Sequence, residues 1–300
     1  LKQELHKISW SWVWLSVFLN IFSQLLRALR WNLLFEPLKY TPKISNLFFS
    51  VLILGFTNQV IPRGGEVARL GIVNRYEKVP FTKLFGIALV ERLTDLLILI
   101  LIFFALLIWQ FDRIVSLINL PQITLPSPNI TNIVLIVGAI LVFATGISIA
   151  VKKLNLFKKL REKLRKIRNE IREGFTSLYY IRRKTLYFTY SFLIYGVWLL
   201  MSYVLFYAYP PTSDLGFEAA AFTFGLATLA FLVPVQAGIG AWHFVVIQCL
   251  FLFGIEQEAG KLFSLIAHAS TNLVYLPLGA IAFALLPILN QRSSKKLDKS

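Results

Sequence analysis

The chain has 300 residues, of which 57% are hydrophobic and 15% charged, with a mean hydropathy of +0.67 and a formal net charge of +16. A soluble domain carries roughly 45–50% apolar and about 25% charged residues, so no soluble fold has an interior large enough for this much apolar sequence, and the class is an integral membrane protein. The positive charge does not indicate nucleic acid, because Lys and Arg lie between the apolar blocks without any nucleic-acid motif; anionic lipid headgroups are the expected partner. The single cysteine, Cys249, lies in an apolar block, which excludes an intrachain disulfide and a thiolate metal cluster.

The chain opens Leu1-Lys2-Gln3 without a methionine, as expected of a piece lacking an upstream segment, and no cleavable signal sequence is visible. Crossing a hydrocarbon core of about 30 Å takes roughly 20 helical residues. Residues 10–28 form the first block of that length, with Trp10, Trp12 and Trp14 as interface anchors. Arg27, Arg30, Lys39 and Lys43 follow as a basic flank, and a second apolar arm, 44–62, ends at the break Pro62-Arg63-Gly64-Gly65. Beyond that break lie Arg69, Arg75, Lys78 and Lys83. A full crossing would leave one of these basic flanks outside, so the positive-inside rule predicts a re-entrant hairpin that returns along an amphipathic arm, 66–79. Non-helical backbone at membrane depth must be buried in protein or line a watery cavity.

Residues 84–109 are the next span, with Glu91, Arg92 and Asp95 near its start. The 110–129 connection holds one basic residue, Arg113, and is placed outside as a polar loop; 130–151 is again a span. Segment 152–184 carries seven Lys and six Arg against Glu162, Glu170 and Glu173, which places it in the cytoplasm. Its Phe157, Leu160, Leu164, Ile167, Ile171, Phe175, Leu178 and Ile181 recur at three- and four-residue steps, the stripe of an amphipathic helix. Such a helix lies either against anionic lipid at the inner leaflet or on a cytoplasmic partner. Spans 186–209 and 262–286 flank two arms interrupted by Pro and Gly, 217–234 and 239–253. The 210–216 connection has no basic residue and is placed outside, whereas Arg292, Lys295, Lys296 and Lys299 put the C-terminal tail in the cytoplasm. No block alternates as a membrane barrel strand does. The expected fold class is all-α, a polytopic membrane helix bundle, with residues 1–300 as one membrane domain and 152–184 as its basic amphipathic cytoplasmic or interfacial segment.

The two halves echo one another. Val60-Ile61-Pro62-Arg63-Gly64-Gly65-Glu66 corresponds to Leu232-Val233-Pro234-Val235-Gln236-Ala237-Gly238-Ile239-Gly240, each a Pro/Gly break after an apolar arm. Downstream, Glu91 and Asp95 fall on His268 and Asn272 at one constant offset, while Pro62 and Pro234 lie slightly closer together, so the alignment needs a small insertion. With the first hairpin entering from the cytoplasm and the second from outside, the halves have inverted topology, the plan of many secondary transporters with sites at broken helices near the midplane.

Glu91, Arg92 and Asp95 are neighbours on one helix, and charges at the start of an apolar span must face the bundle. They fit two readings, an ion pair that anchors the helix end or an intramembrane functional site. Arg63, Gly64, Gly65, Glu66 and Arg69 offer guanidinium and backbone N–H groups to an anion such as a lipid phosphate, or else form a tight turn with Glu66 paired to Arg69 or Arg63. Pro234, Gly238 and Gly240 are the uncharged counterpart, read as a helix break. His243 and His268 lie in apolar blocks, but no His/Asp/Glu spacing resembles a zinc site, so they read as hydrogen-bonded packing residues. There is no Walker loop, serine nucleophile elbow or Cys/His pair, and no cofactor or metal is expected.

Taken together, Arg27-Ala28-Leu29-Arg30-Trp31, the Pro62-Arg63-Gly64-Gly65-Glu66 break with Arg69, Glu91-Arg92 with Asp95, and Pro234 with Gly238 and Gly240 resemble the lysylphosphatidylglycerol synthase transmembrane family, also called flippase-like membrane proteins. The resemblance covers nearly the whole chain and implies a bacterial or archaeal cytoplasmic-membrane protein. In fused members this region is associated with moving an aminoacylated lipid across the bilayer. The acyltransferase domain that makes such a lipid is not found within these residues, and Gly240-Ala241-Trp242-His243 stands where an acidic residue is expected after the glycines. The expected function is a lipid translocase: Arg63, Arg69 and Arg92 attract a phosphate, Glu66, Glu91 and Asp95 set the charge balance, and Gly64, Gly65, Pro234, Gly238, Gly240, His268 and Asn272 complete the headgroup cavity. The alternatives are a membrane-embedded lipid-modifying enzyme with Glu91 or Asp95 as general base, and an assembly partner whose basic helix recruits a cytoplasmic lipid-modifying enzyme.

Overall fold

A computed structural model describes residues 6–61, 64–118, 158–230, 235 and 238–297. Among these residues all regular structure is helical: α1 Trp10–Leu33, α2 Ile44–Val60, α3 Gly65–Glu77, α4 Phe81–Trp109, α5 Phe111–Ile118, α6 Lys158–Tyr180, α7 Lys184–Phe206, α8 Phe217–Ala230, α9 Ala241–Leu252, α10 Gln257–Asn272 and α11 Tyr275–Leu297, with short 3-10 turns at Glu36–Leu38 and Pro210–Thr212. Four runs are long and apolar enough to cross a membrane: Trp10–Leu38, Phe81–Trp109, Lys184–Phe206 and Gln257–Gln291. The apolar helices α2, α8 and α9 have 17, 14 and 12 residues. At 1.5 Å per residue they reach at most about 26 Å, short of a hydrocarbon core. The predicted span 130–151 lies outside the described residues.

The short helices come in pairs. α2 packs on α3 and α8 on α9. At the first turn Gly65 is obligatory, because a Cβ there would run into the Leu54 carbonyl and the Asn58 side chain. At the second, Gly238 and Gly240 have φ of 76° and 85°, a left-handed backbone that glycine adopts without steric cost. The remaining contacts lace the halves together: α1 lies along α7, α11 along α2, α8 against α4 and α10 against α1. α11 closes onto α2 by reciprocal insertion of aromatic rings over glycines, Tyr275 on Gly55 and Phe56 on Gly279, the close backbone approach that small residues allow between membrane helices.

Three boundaries differ from the sequence expectation, each for a physical reason. α1 does not stop at residue 28 but runs to Leu33 and carries Arg27 and Arg30 into the protein, where they are 9% and 1% exposed. They are not a solvated flank, because carboxylates on α4 meet them. The expected single span 262–286 is interrupted at Leu273-Val274; Pro277 has no N–H to give the Leu273 carbonyl and its ring crowds it, so the helix breaks one turn earlier. Arg113 is not on a polar loop. It lies in α5, where its Nε donates to Glu218 Oε1 at 3.0 Å and its guanidinium sits 4.1 Å from the Phe253 ring centroid.

The basic segment does form an amphipathic helix, α6, and its stripe is partly used within the chain. Gly174 of α6 and Gly86 of α4 meet at a crossing too close for any Cβ. Lys83 Nζ pairs with Glu173 at 2.8 Å and Thr82 with Glu170. Leu178 and Ile181 pack in the cluster of Trp31, Phe35, Leu84 and Ile87, while Phe175 and Tyr179 remain exposed.

Candidate functional site

The site begins with a polar stripe on an otherwise apolar helix. On α1, Asn20, Ser23, Gln24 and Arg27 fall at i, i+3, i+4 and i+7, so they share one face, and all four are buried. Each is tied to its neighbours: Gln24 Nε2 donates to Asn20 Oδ1 at 3.0 Å, Arg27 Nη1 to Gln24 Oε1 at 3.0 Å, and Trp198 Nε1 of α7 to Ser23 Oγ at 3.0 Å. Asn20 also joins the α10–α11 break, donating to the Thr271 carbonyl at 2.7 Å and accepting from the Tyr275 hydroxyl at 3.0 Å. A face this well satisfied keeps polar groups away from lipid, where an unpaired donor or acceptor would cost several kcal/mol.

One turn on, the stripe meets a cluster of four arginines and three carboxylates. Arg30 is the hub: its Nη1 donates to Asp95 Oδ1 at 2.8 Å and its Nη2 to Glu91 Oε1 at 2.9 Å, so one planar guanidinium spans two acids a helical turn apart on α4. Glu91, fully buried, receives Arg69 Nη2 of α3 on its other oxygen at 2.6 Å and has Arg27 at 3.8 Å. Arg69 also reaches Glu66 at 3.0 Å and lies 4.2 Å from the Trp31 ring centroid, a cation–π contact that covers part of a fully buried guanidinium. Arg92 pairs with Glu66 and stands 3.7 Å from Asp95. Every carboxylate of the cluster therefore faces at least two arginines, and one positive charge is in excess.

Arg92 differs from the other three arginines. Its side chain is 49% accessible, against 1% for Arg30 and none for Arg69, and it lines a cavity of about 450 Å³. One end of this cavity carries its charged and amide groups, with Asn20, Arg92, Asp95, Thr271, Asn272 and Tyr275; the rest is mostly aliphatic and aromatic, including Leu99, Trp198, Leu205, Phe224, Trp242 and Phe263, interspersed with the hydroxyls of Ser202, Thr223 and Thr228 and the phenol of Tyr195. A smaller space of about 190 Å³ lies behind Asn272 and Tyr275 and is walled by Gln24, Arg27, Asn58 and Gln59. The arrangement suits an amphiphile whose head carries negative charge and whose body is apolar.

Of the residues singled out from sequence, Arg92, Asp95 and Asn272 line the main cavity, the last two being positions that the sequence comparison of the halves aligns. Glu66, Arg69 and Glu91 stand directly behind them in the ion-pair cluster. Gly64 and Gly65 form the α2–α3 turn, and their N–H groups are taken by the Ile61 carbonyl at 3.0 Å and Asn58 Oδ1 at 2.9 Å, which leaves neither N–H for a bound anion. Gly238 and Gly240 shape the α8–α9 turn. His268 is next to the cavity-lining Ala267 without lining the cavity itself, its ring 4.5 Å from that of His243 and 5.6 Å from that of Trp242. Arg63 and Pro234 lie outside the described residues. Among the described residues no group of three metal-ligating side chains comes together.

Sequence reasoning passed over Arg30, Arg27 and the Asn20 stripe as site residues. The available signal was the spacing: arginines three apart on α1 complement acids four apart on α4. The family model described as Lysylphosphatidylglycerol synthase TM region matches residues 1–279. No curated protein and no solved structure matches the chain.

Proposed function

This chain belongs to the lysylphosphatidylglycerol synthase TM region family, a group of lipid-related membrane proteins, and from that premise we propose that it translocates a lipid with an anionic or phosphate-bearing headgroup. The observation that carries the proposal is the two-ended cavity: a single accessible guanidinium, Arg92, over a cluster with excess positive charge at one end, and an apolar body behind it. A headgroup phosphate exchanges water for charge-assisted hydrogen bonds at that end, while its tails stay among apolar side chains. The α2–α3 and α8–α9 pairs act as re-entrant hairpins that bring the polar ends of the halves together.

A membrane-embedded enzyme is less well supported. Glu91 is held by Arg30 and Arg69 on separate oxygens at 2.9 and 2.6 Å, so neither oxygen is free to take a proton from a substrate. Purified protein in vesicles of phosphatidylcholine doped with fluorescent phosphatidylglycerol, phosphatidic acid or a cationic aminoacyl lipid tests the proposal. Accelerated exchange of the anionic lipids between leaflets, with the cationic lipid slower, is the expected result; no acceleration for any headgroup rejects it.

The same reading places the protein in a prokaryotic cytoplasmic membrane, with 152–184 and the C-terminal tail inside. Cysteines at Arg172 on α6 and Asp112 on α5, both exposed, are expected to react with a membrane-impermeant maleimide from opposite sides. The background is Cys249→Ala, since Cys249 is fully buried among apolar side chains. Labelling of both from one side contradicts the topology.

A further inference from the structure

The main cavity does not end at its aromatic wall. Tyr195 of α7 and Phe224 of α8 line it on one side, and the same two residues line a second space of about 420 Å³ between α4, α7 and α8 on the other. This second space is walled by Ile98, Leu101, Leu106, Trp109, Phe192 and Leu199, among others, with no charged or amide side chain. Leu101, Trp109 and Phe192 on its rim are more than half exposed, so it opens on the surface of the bundle. From Ile98 to Trp109 it follows about 17 Å of helix, a length comparable to an extended fatty-acyl chain. The Tyr195 hydroxyl donates to the Asp95 carbonyl at 3.2 Å, so the dividing ring is tied to the turn of α4 that carries the headgroup cluster.

Gly196 is the second observation. It lies inside α7 and lines this groove, and a Cβ added there meets no atom within 4 Å. Gly55, Gly225 and Gly279 are each explained by a side chain packed on them. Gly196 is not, although glycine within a helix costs about 1 kcal/mol relative to alanine. The groove is open at this point, next to Tyr195, with room even for a methyl group.

We infer that the α4–α7–α8 groove is a lateral portal that holds an acyl chain of the lipid whose headgroup sits at Arg92, with Tyr195 and Phe224 as the door between groove and cavity. The inference rests on the translocase reading and adds where the tail lies, which that reading leaves open. It lets a headgroup move between the leaflets inside protein while its chain remains in contact with the bilayer.

The test uses the full chain in phosphatidylcholine vesicles with a phosphatidylglycerol bearing a diazirine at the end of one acyl chain, and dihexanoyl phosphatidylglycerol as a short-chain competitor. Photolabel is expected on peptides covering 98–109 and 192–199, reduced at least five-fold by the competitor and in Gly196→Phe, and retained in Gly196→Ala. Gly196→Leu serves as a second plug if the Phe variant does not elute as folded protein. Exchange of long-chain phosphatidylglycerol is expected to fall at least five-fold in the plugged variant, while dihexanoyl phosphatidylglycerol still binds. Labelling that ignores both competitor and plug is ordinary surface lipid and overturns the portal, as does full exchange by Gly196→Phe. The failures separate: if the short-chain lipid binds and Arg92→Gln weakens it while Gly196→Phe is silent, only the portal is wrong. If the short-chain lipid does not bind, the headgroup reading itself has failed and the portal with it.

Discussion

Arg30→Ala is expected to lose most of the folded protein, with the largest stability effect of any single change in the cluster. Arg30 is 1% exposed and bridges Glu91 and Asp95 at 2.9 and 2.8 Å. Removing one partner from a buried charge pair costs about 3–5 kcal/mol, because the remaining charge keeps its desolvation penalty and loses its compensation. Arg69 and Arg27 still face Glu91, but Asp95 is left with Arg92 alone at 3.7 Å. Arg30→Lys should fall between parent and alanine, since a point charge cannot reach two acids a turn apart as a planar fork does. Lys166→Ala is the control: the side chain is 80% exposed in a 4.0 Å pair, and its loss should change stability by no more than about 0.5 kcal/mol. Thermal unfolding in detergent, followed by size-exclusion recovery, reads all three. Parent-like stability of Arg30→Ala would show that the cluster adds nothing to the fold.

What the sequence carried and what it withheld follow from the range of each signal. Periodicity is local, so the basic amphipathic helix at Lys158–Tyr180 and the short helices on either side of the Pro/Gly breaks were readable from residues a few positions apart. The role of Arg30 was not, because its partners lie 61 and 65 positions away and a charge beside an apolar block looks the same whether it faces water or a buried acid. Aromatic residues posed the converse problem. Trp198, Tyr195 and Tyr275 line cavities, whereas Trp10 and Trp14 are exposed on the bundle surface, yet all stand in similar apolar runs. Only the assembled helices separate them. Asp95 and Asn272, which internal comparison of the sequence pairs, both line the main cavity.

The halves nonetheless contribute unequally. The first supplies the acids and, with α1, the arginines; the second supplies amides, hydroxyls and aromatic rings, with Asn272 where the first half has Asp95 and the His243–His268 pair beside it. Charge is thus concentrated on one wall of the cavity. In the proposed translocase, a headgroup held there would be attracted from one side and would slide over hydrogen-bonding but uncharged groups on the other, a surface that could release it.

Arg92→Gln should therefore abolish most transport while leaving the fold intact. Its partners do not depend on it: Glu66 keeps Arg69 at 3.0 Å and Asp95 keeps Arg30 at 2.8 Å, so no buried acid is orphaned. What disappears is the excess positive charge, since three arginines then face three carboxylates, and with it the one guanidinium of the cluster that lines the main cavity. A hydrogen bond to a charged group contributes about 1.5–3 kcal/mol, and each 1.4 kcal/mol is a factor of ten, so the rate at low lipid content should fall about ten- to hundred-fold. Arg92→Lys restores charge without the fork and should recover part of that loss. Thermal unfolding of both variants is expected to lie close to the parent, in contrast to Arg30→Ala, and activity is compared per folded molecule. Raising salt in the vesicle lumen and bath should weaken the parent more than Arg92→Gln, because only in the parent does the cluster at the cavity carry a net charge for ions to screen. Full transport by Arg92→Gln at parent stability would mean that the charged cluster is a helix anchor and that the lipid headgroup is recognised elsewhere.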